Sequence, residues 1–232
     1  MQYKALIFDL DDTLFDFGTS EAIGLEHVYN VHFSAHIEKG PYLDTYHVIN
    51  KDLWGKVDLG QLSPVDVKLL RFQQLAEKNG LKIDHMAASM AYDTVMSESV
   101  IWLEGAEEAV EIFKPHFKLG IISNSVNAIQ VGKCHRAGVY RWCQCVLISE
   151  QVGLAKPDPR IFRLACERLG VQPSETLMIG DSLSADYQGA MNVGMDFCWV
   201  NPEQKPLPAK YSKPKFEVMR VGELPELLGL TH

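Results

Sequence analysis

Two aspartates, separated by one residue, follow an apolar run near the start of the chain. Residues 5–8 read Ala-Leu-Ile-Phe, and the sequence continues Asp9-Leu10-Asp11-Asp12-Thr13. Such a run is typical of a strand in a parallel sheet, where both faces are buried. Open α/β sheets bind ligands at the carboxyl ends of their strands. Carboxylates there are costly to desolvate and repel one another, so a bound divalent cation and a catalytic role would explain their presence.

Three later segments also place polar side chains after strand-like runs. They are Ser123-Asn124, Lys156-Pro157 and Gly180-Asp181-Ser182-Leu183-Ser184-Ala185-Asp186. Ser123 ends the run Lys118-Leu119-Gly120-Ile121-Ile122, so its hydroxyl is expected at the same edge of the sheet as the first aspartates. The sequence therefore predicts one polar site built from segments far apart in the chain.

The residue types in these segments match the needs of phosphoryl transfer. The reaction requires an in-line nucleophile, charge neutralisation on the phosphoryl oxygens and a proton donor for the leaving oxygen. Asp9 could attack phosphorus and form an aspartyl-phosphate, while Asp11 could protonate the leaving group and then deprotonate water. Ser123 and Lys156 could bind the phosphoryl oxygens. Mg²⁺ prefers oxygen ligands, and Asp9 and Asp181 are the candidate carboxylates.

Taken in order, the four segments resemble the motifs of the haloacid dehalogenase (HAD) superfamily of phosphatases, and the resemblance covers essentially the whole chain. It implies that Asp9 is the nucleophile and Asp11 the general acid and base. It also implies that Asp9, the backbone carbonyl of Asp11 and Asp181 hold Mg²⁺.

The same resemblance assigns binding and supporting roles to further residues. Ser123, Asn124 and Lys156 would bind the phosphoryl group, and Asp186 would lie in an outer shell near the metal. Apart from the resemblance, we expect Thr13 to help to shape the loop after the first strand. Taken singly, each segment has an ordinary structural interpretation. Asp11 and Asp12 could cap a helix, and Asp181 could be a turn residue. Ser123 could be a loop hydroxyl, and Lys156 could be a surface lysine.

Helix and strand signals divide the chain into a core and an insertion. Strands are predicted at 117–123, 143–148, 176–180 and 196–200, with helices near 126–137, 159–169 and 185–193, which is the pattern of a doubly wound parallel α/β sheet. Residues 17–103 lack strand runs and carry helix signals such as Ser63-Pro64-Val65-Asp66. We expect a core domain of residues 1–16 and 104–232 and a helical cap domain of residues 17–103. In HAD relatives such caps select the leaving group.

Several segments resemble the branch of house-cleaning pyrimidine 5′-nucleotidases, among them Ile49-Asn50 to Leu53-Trp54, Arg71-Phe72 and Gly194 to Pro202. This resemblance implies a pyrimidine nucleoside monophosphate as the small-molecule partner. Trp54 and Phe72 could stack on its base, and Arg71 could bind the base or the phosphate. The alternative is that both aromatics fill the core of the cap and Arg71 lies on its surface.

Other activities remain open at this point. A small sugar-phosphate or phosphoglycolate phosphatase is the strongest rival, and a phosphomutase of the β-phosphoglucomutase type would have the same site. A 2-haloacid dehalogenase needs neither a metal nor a second acid, so Asp11 and Asp181 argue against it. A noncatalytic binding module would be expected to lack one of the three aspartates at positions 9, 11 and 181.

Composition restricts the partners and the compartment. The net charge of −8 argues against a nucleic-acid or anionic-membrane partner. We expect no membrane span, because no apolar stretch approaches about 18 residues, and no signal peptide, because the start is not basic. An odd number of cysteines, five, favours a reducing, cytoplasmic location. The oligomeric state is not predicted.

Overall fold

The computed structural model describes residues 2–230. They form two compact units: a core unit of residues up to 17, 101–124 and from 137 onward, and a helical unit of residues 18–100 and 125–136. The strands are β1 (Ala5–Phe8), β2 (Lys118–Ser123), β3 (Cys145–Ile148), β4 (Thr176–Gly180), β5 (Asp196–Val200) and β6 (Phe216–Val218). The helices are α1 (Phe17–Val28), α2 (Lys39–Asp58), α3 (Pro64–Lys78), α4 (His85–Glu98), α5 (Ala106–Phe113), α6 (Asn127–Arg136), α7 (Val139–Trp142), α8 (Ser149–Val152), α9 (Pro159–Leu169), α10 (Gln188–Met191) and α11 (Leu224–Leu227).

In the core unit the strands form one parallel sheet in the order β3-β2-β1-β4-β5-β6. The buried runs of β1 and β4 explain their central position, since a strand covered on both faces is apolar throughout. The predicted fold class, a doubly wound parallel sheet with an inserted helical domain, is confirmed.

Successive residues of β1 point to opposite faces of the sheet, as the period of a strand requires. Ile7 belongs to the buried cluster that includes Phe162 of α9. Phe8 stacks on Phe113 of α5, with ring centroids 6.0 Å apart. Helices therefore cover both faces of the sheet and leave its strand ends to carry polar groups.

The helical unit packs around buried aromatic side chains. Phe72 lies 5.7 Å from Tyr46 and 5.7 Å from Tyr92 between ring centroids, so α2, α3 and α4 share one core. Helix α3 begins as predicted: Ser63 and Asp66 form a capping box ahead of it. Within residues 2–230 no helix is long and apolar enough to cross a membrane.

The start of β3, the helix after β4 and the last strand differ from the sequence-based prediction. Strand β3 begins at Cys145 rather than at residue 143, because the Cys143 N–H still closes α7 by donating to the Val139 carbonyl. The helix predicted near 185–193 begins at Leu183 as a π-helix. Strand β6 was not predicted, since it is only three residues long and follows a loop rich in Pro and Lys.

One helix lies in a different unit from the one predicted. Residues 125–136 were expected in the core domain, but α6 packs against α4 in the helical unit. Gly132 makes this approach possible, because a Cβ there would lie 2.7 Å from the Cβ of Ser97.

Candidate active site

Asp9 lies at the centre of the carboxyl edge of the sheet. The strand order reverses at β1, which has β2 on one side and β4 on the other, and ligands of open α/β sheets bind at such a point. The Asp9 N–H donates to the Ile179 carbonyl at 2.9 Å, so the pairing of β1 with β4 continues past the end of β1. This bond fixes the backbone of Asp9 beside the loop that carries Asp181.

The chain turns tightly after Asp9. The Phe15 N–H donates to the Leu10 carbonyl at 2.8 Å, and the Asp12 N–H donates to the Phe15 carbonyl at 2.8 Å. Asp12 has a φ of 59°, a left-handed conformation that aspartate adopts more readily than most residues. Asp11 pairs with Phe15 in an isolated bridge, so the turn keeps Asp11 close to the end of β1.

Two predicted hydroxyl residues are buried in the core unit. Ser123 is the last residue of β2 and pairs with Ile148 of β3, which places it at the carboxyl edge as expected. Thr13 lies in the turn after β1, and among the described residues its Oγ1 has no hydrogen-bond partner. Its N–H donates to the Leu10 carbonyl at 3.4 Å, so Thr13 contributes to the turn through its main chain and its packing.

Lys156 connects Asp9 to Asp186. Its Nζ lies 2.7 Å from Asp9 Oδ1 and 2.7 Å from Asp186 Oδ1, and its side chain is 2% exposed. Burial lowers the pKa of Lys156, but the two carboxylates outweigh burial and hold the pKa above its ordinary value. Lys156 is therefore protonated at neutral pH and places a positive charge beside Asp9.

The side chain of Asn124 holds the main chain of Lys156 at two points. Asn124 Nδ2 donates to the Lys156 carbonyl at 2.8 Å, and the Lys156 N–H donates to Asn124 Oδ1 at 2.8 Å. The following peptide bond, to Pro157, is cis. The sequence predicted a phosphate contact for Asn124, whereas both polar atoms of its amide are engaged in positioning the lysine.

Asp186 lies beside Lys156 and Ser182 at the carboxyl edge of the sheet. It is fully buried, and its Oδ2 accepts a hydrogen bond from the Ser182 N–H at 3.1 Å. This position requires glycine at residue 180, because a Cβ there would lie 2.2 Å from Asp186 Oδ2. An outer-shell position is predicted for Asp186, and its carboxylate lies in one cluster with those of Asp9 and Asp181.

The carboxylate cluster has the composition of a divalent-cation site. Oxygen atoms of Asp9, Asp181 and Asp186 lie within 4.8 Å of one another. Burial raises the pKa of Asp9 and of Asp181, and the neighbouring carboxylate of Asp186 raises both further. A single lysine does not balance three carboxylates, so the site fits a cation with oxygen ligands such as Mg²⁺. Since Asp186 already bonds Lys156 and Ser182, Asp9 and Asp181 are the better candidate ligands.

A cavity of about 270 Å³ lies beside Asp181 in the core unit. It is lined by Asp12, Leu103, Asp181, Trp199, Val200, Asn201, Pro202, Glu203 and Lys205. Mg²⁺ in proteins usually keeps several water ligands, and this cavity gives them room. The segment from Gly194 to Pro202 resembles the nucleotidase branch in sequence, but that resemblance gives Trp199 no role at the site. Its closeness to Asp181 depends on the pairing of β4 with β5, which no local pattern reveals.

The three residues proposed for base contacts all lie in the helical unit. Phe72 is fully buried in the aromatic core, so its ring offers no free face to a base, in agreement with the alternative that it fills the core of the cap. Trp54 is half-buried on α2.

Arg71 is buried as well, so neither its predicted base or phosphate contact nor the alternative surface position describes it. Its Nη2 lies 3.1 Å from Asp93 Oδ1, and Lys68 Nζ lies 2.6 Å from the other oxygen of Asp93. The guanidinium carbon lies 4.0 Å from the Tyr92 ring centroid. Arg71 thus joins α3 to α4.

The carboxylate cluster at the carboxyl edge of the sheet agrees with a match to a known family. The profile of the haloacid dehalogenase-like hydrolases matches residues 3–194. The chain belongs to this family. The resemblance inferred from the four segments is confirmed, and the protein is an enzyme.

Relatives of known name match nearly the whole chain. It is 32% identical to pyrimidine 5′-nucleotidase PynA of Streptococcus pneumoniae, over 98% of this chain and 96% of PynA. It is 31% identical to pyrimidine 5′-nucleotidase YjjG of Escherichia coli, over 98% of this chain and 99% of YjjG. The magnesium-bound structure of the putative HAD-hydrolase YfnB of Bacillus subtilis superposes with a TM-score of 0.87 at 29% identity, covering 98% of this chain and 99% of YfnB. Together they confirm the prediction of a HAD-like phosphatase.

Proposed function

We propose that this phosphatase hydrolyses pyrimidine nucleoside 5′-monophosphates through a phosphorylated Asp9. The observation that supports the chemistry is the contact of Asp9 with Lys156, with Asp181 and Asp186 in the same cluster. The substrate class rests on the similarity to PynA and YjjG, which extends over 98% of the chain in both cases.

In the first step a carboxylate oxygen of Asp9 attacks phosphorus, and the bond from phosphorus to the nucleoside 5′-oxygen breaks. Asp11 donates a proton to that leaving oxygen. The ammonium group of Lys156 and the hydroxyl of Ser123 bind the phosphoryl oxygens. Asn124 keeps Lys156 in place through the two bonds to its main chain.

In the second step Asp11 takes a proton from water, whose oxygen attacks phosphorus. The bond from phosphorus to Asp9 breaks, which releases inorganic phosphate and restores the Asp9 carboxylate. Asp11 thereby returns to the protonated state it had at the start, so protons balance over the cycle.

We propose Mg²⁺ as the cofactor, held by the carboxylates of Asp9 and Asp181 and by the backbone carbonyl of Asp11. When bound it would neutralise charge on the phosphoryl oxygens. Asp186 acts through Lys156, whose ammonium group it contacts at 2.7 Å.

The nucleoside would be selected by the helical unit, where Trp54 is the remaining candidate for a base contact. The core chemistry is the same for any phosphomonoester, so selection must arise from differences in transition-state binding. We propose a reducing, cytoplasmic location, since all five cysteines are free thiols.

A phosphate-release screen with Mg²⁺ tests the proposal. The panel is uridine, cytidine and thymidine 5′-monophosphates, adenosine 5′-monophosphate, glucose 6-phosphate and phosphoglycolate. We expect kcat/KM for the best pyrimidine nucleotide to exceed that of the other classes by about tenfold or more. A sugar phosphate or phosphoglycolate that is preferred by that factor would replace the nucleotidase assignment with a general phosphatase one.

A further inference from the structure

We infer that Trp199 is a positioning residue for Asp181: its indole N–H holds the main-chain carbonyl of Asp181 and so orients the carboxylate toward the metal. Trp199 Nε1 lies 2.9 Å from that carbonyl oxygen. The inference rests on the proposed function, which uses Asp181 as a ligand of Mg²⁺.

The sheet brings Trp199 to this place. Strand β5 pairs with β4 in a register that sets Trp199 beside Gly180, the residue before Asp181. Trp199 is 4% exposed and belongs to the buried cluster that includes Phe197 and Tyr187. Because packing fixes the ring, its N–H is presented to the Asp181 carbonyl without freedom to turn away.

The peptide that joins Asp181 to Ser182 is also held at its N–H. The Ser182 N–H donates to Asp186 Oδ2 at 3.1 Å, and the other oxygen of Asp186 lies 2.7 Å from Lys156 Nζ. The peptide that joins Asp181 to Ser182 therefore accepts a bond from Trp199 at its carbonyl and donates one to Asp186 at its N–H. A peptide unit is planar, so these two bonds restrict its rotation and with it the direction of the Asp181 Cα–Cβ bond.

This restraint opposes a specific electrostatic force. Carboxylate oxygens of Asp181, Asp186 and Asp9 lie within 4.8 Å of one another, and like charges at this distance repel. Asp181 also lines a cavity, which leaves space for its loop to relax. Holding the main chain keeps the carboxylate near Asp9 before a cation binds, and this preorganisation favours cation binding.

The experiment compares Trp199→Phe with Trp142→Phe after metal removal with a chelator. Phenylalanine keeps an aromatic ring and loses the N–H, and Trp142 lines a cavity that shares no residue with the acidic cluster. Isothermal titration with Mg²⁺, without substrate, should give a Kd about tenfold weaker for Trp199→Phe and unchanged for Trp142→Phe. A Trp199→Phe protein that binds Mg²⁺ as tightly as the wild type would overturn the inference, even with a lowered melting temperature.

A second measurement needs no variant and covers the case in which Trp199→Phe fails to fold. In protein labelled with ¹⁵N-tryptophan, the indole N–H signal of Trp199 should shift on Mg²⁺ addition, and more than those of Trp54, Trp102 and Trp142. If the protein binds Mg²⁺ and the Trp199 signal does not move, the inference is overturned and the proposed function is not. A wild-type protein that binds no Mg²⁺ would overturn it together with the metal part of the proposed function.

Discussion

The carboxylate of Asp186 lies where a side chain of residue 180 would begin. A Cβ built on Gly180 would be 2.2 Å from Asp186 Oδ2 and 2.5 Å from Asp186 Cγ. Gly180 is thus required for space and not for a left-handed conformation. Asp186 contacts Lys156, and Lys156 contacts Asp9. The absence of a side chain at residue 180 therefore affects the proposed nucleophile, Asp9, through two ion pairs.

Gly180→Ala should therefore displace Asp186 and weaken its hold on Lys156. We expect a loss of about 1–3 kcal/mol in the free energy of unfolding from overpacking, together with a lower kcat. Urea unfolding and phosphate release measure the two effects. The control is Gly55→Ala on α2, where a Cβ meets no atom within 4 Å. This variant should gain about 0.5–1 kcal/mol in the free energy of unfolding. A fully active, fully stable Gly180→Ala protein would show that Asp186 can move without consequence.

Asp9→Asn should abolish turnover and keep the fold. The amide retains an oxygen that can accept from Lys156, while the nucleophilic carboxylate is lost. Acid-quenched wild-type protein should carry a phosphoryl group by intact-mass analysis, and the variant should carry none. Asp196→Asn is the control, since Asp196 begins β5 at the opposite edge of the sheet and accepts a hydrogen bond from Tyr3. Near-native turnover of Asp9→Asn with several phosphomonoesters would exclude Asp9 as the nucleophile.

Asp11→Asn should slow the reaction most where the leaving group is poor. A nucleoside 5′-alkoxide needs a proton as it departs, and general acid catalysis typically contributes 10²–10⁴-fold, so we expect a loss of about that size. An aryl phosphate has a better leaving group and should lose less. Single-turnover rates with uridine 5′-monophosphate and p-nitrophenyl phosphate make the comparison. Equal losses on both substrates would argue against a proton-transfer role for Asp11.

The strand ends could be predicted from sequence because each follows an apolar run that only a buried strand explains. Strands 176–180 and 196–200 have the predicted bounds, and Ser123 ends β2 as expected. The contacts of Asp186 with Lys156 and of Trp199 with Asp181 could not be predicted in this way. They arise between segments that meet only after the sheet has formed, and no local periodicity encodes such a meeting.

In the helical unit, too, local features could be predicted from the sequence and contacts between distant segments could not. The capping box at Ser63 is local, and the structure confirms it. The packing of α6 on α4 depends on Gly132, whose approach to Ser97 joins residues distant in sequence. The sequence predicts Arg71 either in contact with substrate or at the surface. A buried arginine needs a charged partner, and sequence spacing does not identify that partner, which is Asp93.

The two aromatic residues proposed for base contacts should respond differently to truncation. Phe72 has no exposed surface and packs against Tyr46 and Tyr92, so Phe72→Ala should cost about 3–5 kcal/mol in the free energy of unfolding and reduce activity on all substrates together. Trp54 is half-buried. If it stacks on the base, Trp54→Ala should lower kcat/KM for uridine 5′-monophosphate and spare p-nitrophenyl phosphate, because the aryl ester has no nucleobase to bind.

Urea unfolding and kcat/KM on both substrates distinguish these effects, at a temperature where every variant is folded. Val48→Ala is the control: Val48 lies on the same helix as Trp54 and is 60% exposed, so its truncation should change neither stability nor substrate preference. A Trp54→Ala protein that loses stability and slows equally on both substrates would assign Trp54 to the packing of the helical unit. Base selection would then have to be sought among other residues of that unit.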